Sequence, residues 1–143
     1  MMRQKLALIF CGSMLLHSPT LAQAVPEGMQ KEASGASDIC GVVGQNALAI
    51  REKLRADPTI DEEPSGSSRF ETYFSKVETI QWTVTTKADA AYPAVTCVHL
   101  FESGGGTDMN RQMRCDASQN ACDSLFLEFQ AHDEQIKRQL RGG

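Results

Sequence analysis

Apolar positions recur along the chain in two rhythms, one helical and one of strands. From Ser37 onward they fall at Ile39, Val43, Ala47, Ile50 and Leu54, steps of three and four that mark one side of an amphipathic helix. Ser37 stands where an N-cap would, Cys40 falls in the first turn, and Asp57-Pro58 ends the run. Asp57 to Ser68 has no period, is acidic at Asp61, Glu62 and Glu63, and contains Pro64 and Gly66. It reads as a solvated loop, without the alternating oxygen ligands and glycine turn of a calcium loop.

Arg69 to Lys76 fits two patterns. Phe70, Thr72 and Phe74 alternate as in a strand, while Ser68 and Glu71 have capping-box spacing, so a strand or one short turn is expected. Val77 to Thr86 alternates cleanly, with Ile80, Trp82 and Val84 against Thr79, Gln81, Thr83 and Thr85. Ala94 to Ser103 is apolar on both sides and predicts an interior strand. Gly104-Gly105-Gly106 then turns the chain into a return strand over Thr107 to Cys115. The glycines join two strands and precede no helix, so they read as a hairpin turn and not a phosphate cradle. The final segment is helical. Cys122, Leu125, Phe129, Ile136 and Leu140 mark its buried stripe, with His132 on the same side. Asp116 and Gln119 are placed to cap its start, and Lys137, Arg138 and Arg141 suit the negative end of its dipole.

A loop of three glycines sets a register. It places Val95 opposite Cys115, Cys97 opposite Met113, His99 opposite Arg111 and Phe101 opposite Met109. One sheet face then carries Val95, Cys97, Phe101, Met109, Met113 and Cys115, and both helices should cover it. The other face sets Val98 and Leu100 among Asn110, Gln112 and Arg114, with Thr83 of the preceding strand beside them. A slip of one residue would exchange these assignments. The fold class that follows is α+β in two layers, ordered helix, three- or four-stranded antiparallel meander, helix, with both helices on one sheet face.

The N-terminus changes the setting of this fold. Arg3 and Lys5 precede an apolar stretch from Leu6 to Leu16, Pro19 breaks it, and Ala22-Gln23-Ala24 offers a signal-peptidase site. Residues 1–24 therefore read as an export signal, 25–36 as a flexible leader, and 37–143 as a single α+β domain. A lipoprotein reading of Cys11 is disfavoured by bulky Phe10 before it and by the apolar run that continues past it. Export predicts a periplasmic or extracellular protein. The signal is too short to span a bilayer, and no later segment is apolar enough to do so.

Cleavage leaves 119 of the 143 residues and 12 basic against 18 acidic side chains, a net charge of −6. Such a field repels phosphate backbones and anionic lipid heads, so neither nucleic acid nor a membrane surface is an expected partner. Four cysteines remain, Cys40, Cys97, Cys115 and Cys122. Without any Cys-x-x-Cys pair, disulfides are favoured over a thiolate zinc site or a redox pair. Cys97 and Cys115 would be diagonal neighbours across the hairpin and poorly placed to bridge. The expected pairs are Cys40–Cys97 and Cys115–Cys122.

Candidate chemistry is sparse. His99 and Arg111 would form a polar pair on the apolar face, but no nucleophile accompanies them, and Gly-x-Ser-x-Gly and His-Glu-x-x-His are absent. No metal site and no cofactor loop is read. The expectation is a non-catalytic binding or envelope-accessory module whose partner is a protein or another envelope component. Its contact patch would be Val98 and Leu100 ringed by Thr83, Asn110, Gln112 and Arg114, an apolar centre with a polar rim. The alternative is a small exported hydrolase using His99 or a carboxylate pair.

Overall fold

The computed structural model describes residues 35–141. The predicted export signal and all but the last two residues of the predicted leader lie outside that range. The described chain is α+β with antiparallel sheets. It begins not with a helix but with a hairpin, β1 (Ser37–Ile39) and β2 (Val42–Gly44), whose turn residues Cys40 and Gly41 have φ of 49° and 85°. That pair of positive values suits a two-residue hairpin turn, and the Asp38 carboxylate accepts the Gly41 N–H at 2.6 Å. Ile39 and Val43 share helical spacing only because they occupy facing strands. Ser37, expected as an N-cap, is buried and receives Arg114 Nη1 on its hydroxyl instead.

Helix α1 (Ala47–Ala56) starts at Asn46, whose side-chain oxygen accepts the Ala49 N–H. It buries Ala47, Ile50 and Leu54, the second half of the predicted stripe. Gly44 is the tight point: a Cβ there would sit 2.5 Å from Ile50 Cγ1, so only glycine lets β2 pass beneath α1.

The main sheet has five strands in sequence order, one or two more than expected: β3 (Ile60–Glu63), β4 (Phe70–Ser75), β5 (Ile80–Thr85), β6 (Ala94–Ser103) and β7 (Gly106–Cys115). The acidic stretch read as loop contributes β3, an edge strand whose charges hinder pairing with another chain. Arg69 to Lys76 resolves as a strand because β3 and β5 pair with it on both sides.

The β6–β7 turn uses two glycines, not three. Gly104 and Gly105 take φ of 59° and 86°, and Gly106 already pairs with Ser103. Every partner across the hairpin therefore shifts by one: Val95 faces Arg114, Cys97 faces Gln112, His99 faces Asn110, and Leu100 faces Met109. Because side chains alternate, this shift exchanges the faces of β7 relative to β6.

The consequence is a three-layer arrangement with the helices on opposite faces, which corrects the two-layer expectation. Tyr73, Ile80, Trp82, Val84, Val95 and Cys97 point to one face and bury against Ile39, Ala47, Ile50 and Leu54. Ala94 and Cys115, with Met113 beside them, point to the other and pack with Cys122, Leu125 and Phe129 of α2 (Gln119–Arg141). These are called the α1 face and the α2 face below. Helix α2 is capped by Ser118, not by Asp116 or Gln119: its hydroxyl accepts the Ala121 N–H and its carbonyl the Cys122 N–H. No helix among the described residues is long and apolar enough to cross a membrane.

Both expected disulfides are present, Cys40–Cys97 with Cα atoms 6.2 Å apart and Cys115–Cys122 at 5.8 Å. They do not serve one helix layer, as the predicted register required. The first ties the hairpin to the α1 face, and the second ties α2 to the other.

Candidate functional site

The α1 face is covered at its centre by α1 and the β1–β2 hairpin, and the α2 face is covered by α2 only along its β7 side. On the latter, β4, β5 and β6 present the rows Thr72, Thr83, Thr96 and Phe74, Gln81, Val98. Thr96 and Val98 lie opposite Met113 and Arg111 of β7, and Leu100 lies opposite Met109. Helix α2 runs along the β7 side and walls a cleft of about 160 Å³ with Phe129, His132 and Ile136. The cleft floor is Thr83, Val98, Leu100 and Met109, with Gln81 at its margin. Gln81 also borders a shallower hollow of about 490 Å³ that continues over Phe74 and Thr72 to Glu63 and the turn at Pro64. Phe74 is 41% exposed and Val98 and Leu100 are half-buried, so an apolar strip lies open along the trough.

Arg111 fixes the wall of this trough. Its guanidinium holds Asp133 through two hydrogen bonds of 2.6 Å, donates to Thr96 Oγ1 at 3.0 Å, and lies 4.4 Å from the centre of the Phe129 ring. A fork-shaped cation matched to a carboxylate in this way holds α2 at a set height above the sheet. With its donors so engaged, Arg111 positions the helix and is no ready anion receptor.

The predicted contact patch is divided by the change of register. Thr83, Val98 and Leu100 are brought together in the cleft. Asn110, Gln112 and Arg114 stand on the opposite face. Arg114 is buried there, bonding Asp116, Ser37 and the carbonyls of Gly35 and Gln45. Asp116 in turn accepts the Ala47 N–H at 2.6 Å, so this pair clamps the start of α1 to the end of β7. Sequence reasoning missed Phe74 and Gln81, which the alternation of β4 and β5 does place beside Val98. His132 and Ile136 were read as core, but α2 is displaced toward the sheet edge and leaves them on a wall.

His99 and Arg111, expected as a pair, are also on opposite faces. His99 is exposed and lines a hollow of about 240 Å³ on the α1 side with Cys40, Gly41, Glu78, Ile80, Asn110 and Gln112. That lining holds no hydroxyl nucleophile, and its cysteine is in a disulfide. Among the described residues no group of three or more metal-ligating side chains converges.

Several carboxylates are matched to arginines. Glu71 accepts from Arg51, from Arg55 and from the buried Tyr73 hydroxyl. Asp89 and Glu128 share Arg69, Asp133 has Arg111, and Asp116 has Arg114. The hydrogen bond from Arg51 holds the Glu71 carboxyl below its ordinary value, the reverse of what a proton donor at neutral pH requires. Burial pushes the Tyr73 phenol up, which keeps it neutral. Among the described residues no buried side-chain nitrogen or oxygen lacks a hydrogen-bond partner. The polar interior is thus satisfied within the fold. Comparison with protein-family models, with curated proteins and with solved structures finds no match.

Proposed function

We propose that this chain is an exported, disulfide-stabilised binding module that takes a partner in the trough of the α2 face and carries out no chemistry of its own. One observation carries the reading: an open apolar strip from Phe74 through Val98 and Leu100 to Ile136, walled by a helix pinned in place by Arg111 and Asp133. An apolar centre with polar margins is a common form of recognition surface. The carboxylates bound by arginine and the absence of a nucleophile at His99 weigh against a hydrolase. Two disulfides are compatible with an oxidising, exported location. The periplasm or the extracellular space is the compartment proposed.

Site-specific photo-cross-linking in the native compartment tests the reading. A photoreactive residue at Gln81, inside the trough, should give a discrete adduct that disappears in Leu100→Asp. The same residue at Glu52, on the exposed side of α1, should give none. Equal adducts at both positions, or an adduct at Gln81 that survives Leu100→Asp, would refute the trough as the site. Mass spectrometry of the mature protein checks export, with Val25 expected at the N-terminus.

A further inference from the structure

We infer that the occupant of the trough is an amphipathic helix of a protein partner, with an apolar stripe flanked by lysine or arginine; this rests on the binding reading above. The backbone excludes the main alternative. Strands β4, β5 and β6 are each paired on both sides, so an extended peptide lying across them finds no free ladder. A helix satisfies its own backbone and brings only a side-chain stripe.

The dimensions agree. Two strand spacings separate β4 from β6, about 10 Å, which is close to the diameter of one helix. A helix laid there would run beside α2 at about the 8–10 Å spacing of packed helices. Phe129, His132 and Ile136 would meet one flank, and Phe74, Val98 and Leu100 would lie beneath.

Charge sets the kind of helix. The cations that the strands set on this face are committed to ion pairs: Lys76 with Asp61 at 2.9 Å, Arg69 with Asp89 and Glu128, and Arg111 with Asp133. Arg138 and Arg141, exposed in the last turn of α2, enter none among the described residues and do not line the trough. Glu63 and Glu102 enter no ion pair among the described residues, and they stand at diagonal corners of the same face. Glu63 lines the trough and no unpaired lysine or arginine does, so the charge at the trough itself is negative, which favours a basic partner and disfavours an acidic one.

Three synthetic peptides of about 18 residues test this against the isotopically labelled mature protein. The first has leucines at i, i+3, i+4 and i+7 with lysine flanks, the second replaces lysine by glutamate, and the third keeps lysine but carries two central prolines. The lysine helix should move the backbone amide signals of Thr83, Val98, Leu100 and Phe129 and leave Ile50 and Leu54 in place. Its Kd should rise about tenfold or more in Leu100→Asp and several-fold in Glu63→Gln/Glu102→Gln, and binding should weaken with added salt. The other two peptides should bind at least about tenfold more weakly. A glutamate peptide that binds equally would overturn the charge assignment, and a proline peptide that binds equally would overturn the helix. Binding by none of them would overturn the helical occupant while leaving the Gln81 adduct, which reports on the trough itself, to stand or fall separately.

Discussion

The two faces of the central sheet are built from alternate residues of the same strands, yet they do different work. On the α1 face, Tyr73, Trp82, Val84, Val95 and Cys97 form an unbroken apolar surface under α1 and the β1–β2 hairpin. On the α2 face the same strands offer Thr72, Gln81, Thr83 and Thr96; apolar Phe70 and Ala94 lie under α2, whereas Val98, Leu100 and Phe74 stay partly open. Helix α2 closes the part where Ala94, Met113 and Cys115 ask for cover and leaves the rest. Folding is thus concentrated on one face, and the other has surface to spare. The apolar residues that remain on that second face without helix cover are the observation from which binding is proposed.

Breaking the α1 face should have the largest effect. Val84 is 1% exposed, and Val84→Asp would bury an unpaired carboxylate at a cost above about 4 kcal/mol, enough to unfold the domain. Circular dichroism at 25 °C should show lost structure.

The disulfides sharpen the same contrast. Cys40–Cys97 spans 57 residues and Cys115–Cys122 spans 7. Loop-closure entropy then gives about 4 kcal/mol for the first and about 2.5 kcal/mol for the second. Replacing Cys40 and Cys97 together by alanine should lower the unfolding free energy more than replacing Cys115 and Cys122. The reverse order in urea titrations would show that the α1 face does not dominate stability.

Much of this was legible from the residues, and the parts that were not have definite causes. The period-two alternation of β5, the two-sided apolar character of β6, the Cys122–Leu125 start of the α2 stripe and both disulfide pairs were legible. The pairs, however, were argued from a register one residue off, and the stripe does not extend to Leu140, which is exposed. The first helix was misplaced because Ile39 and Val43 mimic helical spacing from the two strands of a hairpin; the Cys40-Gly41 turn was the missed signal. Strand β3 was hidden because Asp61, Glu62 and Glu63 have loop composition, and only pairing with β4 makes them a strand. The largest error came from one glycine. Counting Gly106 in the turn moved the register by one and put both helices on the same face. The site suffered in proportion: Thr83, Val98 and Leu100 were found, whereas Asn110, Gln112 and Arg114 belong to the other side.

On the α2 face the wall depends on one pair. Asp133→Asn leaves the nearly buried Arg111 without its counter-charge, which should cost about 2–4 kcal/mol and increase hydrogen exchange along the second half of α2. A change confined to the α1 face would show that the pair does not hold the helix.

Acid should act through Glu71, on the α1 side. The folded state holds this carboxyl below its ordinary value, chiefly through Arg51, so the unfolded chain takes up the proton more readily as pH falls. The stabilisation is complete at neutral pH and is lost as pH drops below about 4.3, the ordinary glutamate value, and through the lowered one. In Glu71→Gln the urea midpoint should be lower at neutral pH and vary less across this acidic window.

The smallest effect on folding is the one that matters most to the account, because it separates spare surface from core. Leu100 lies half-buried on the trough floor. The unfolding free energy of Leu100→Asp should fall by less than about 1.5 kcal/mol, with the far-ultraviolet spectrum unchanged, even as the Gln81 adduct disappears. A loss of about 4 kcal/mol or more, comparable to Val84→Asp, would mean that the α2 face is core like its counterpart and that the trough is not a surface held open for a partner.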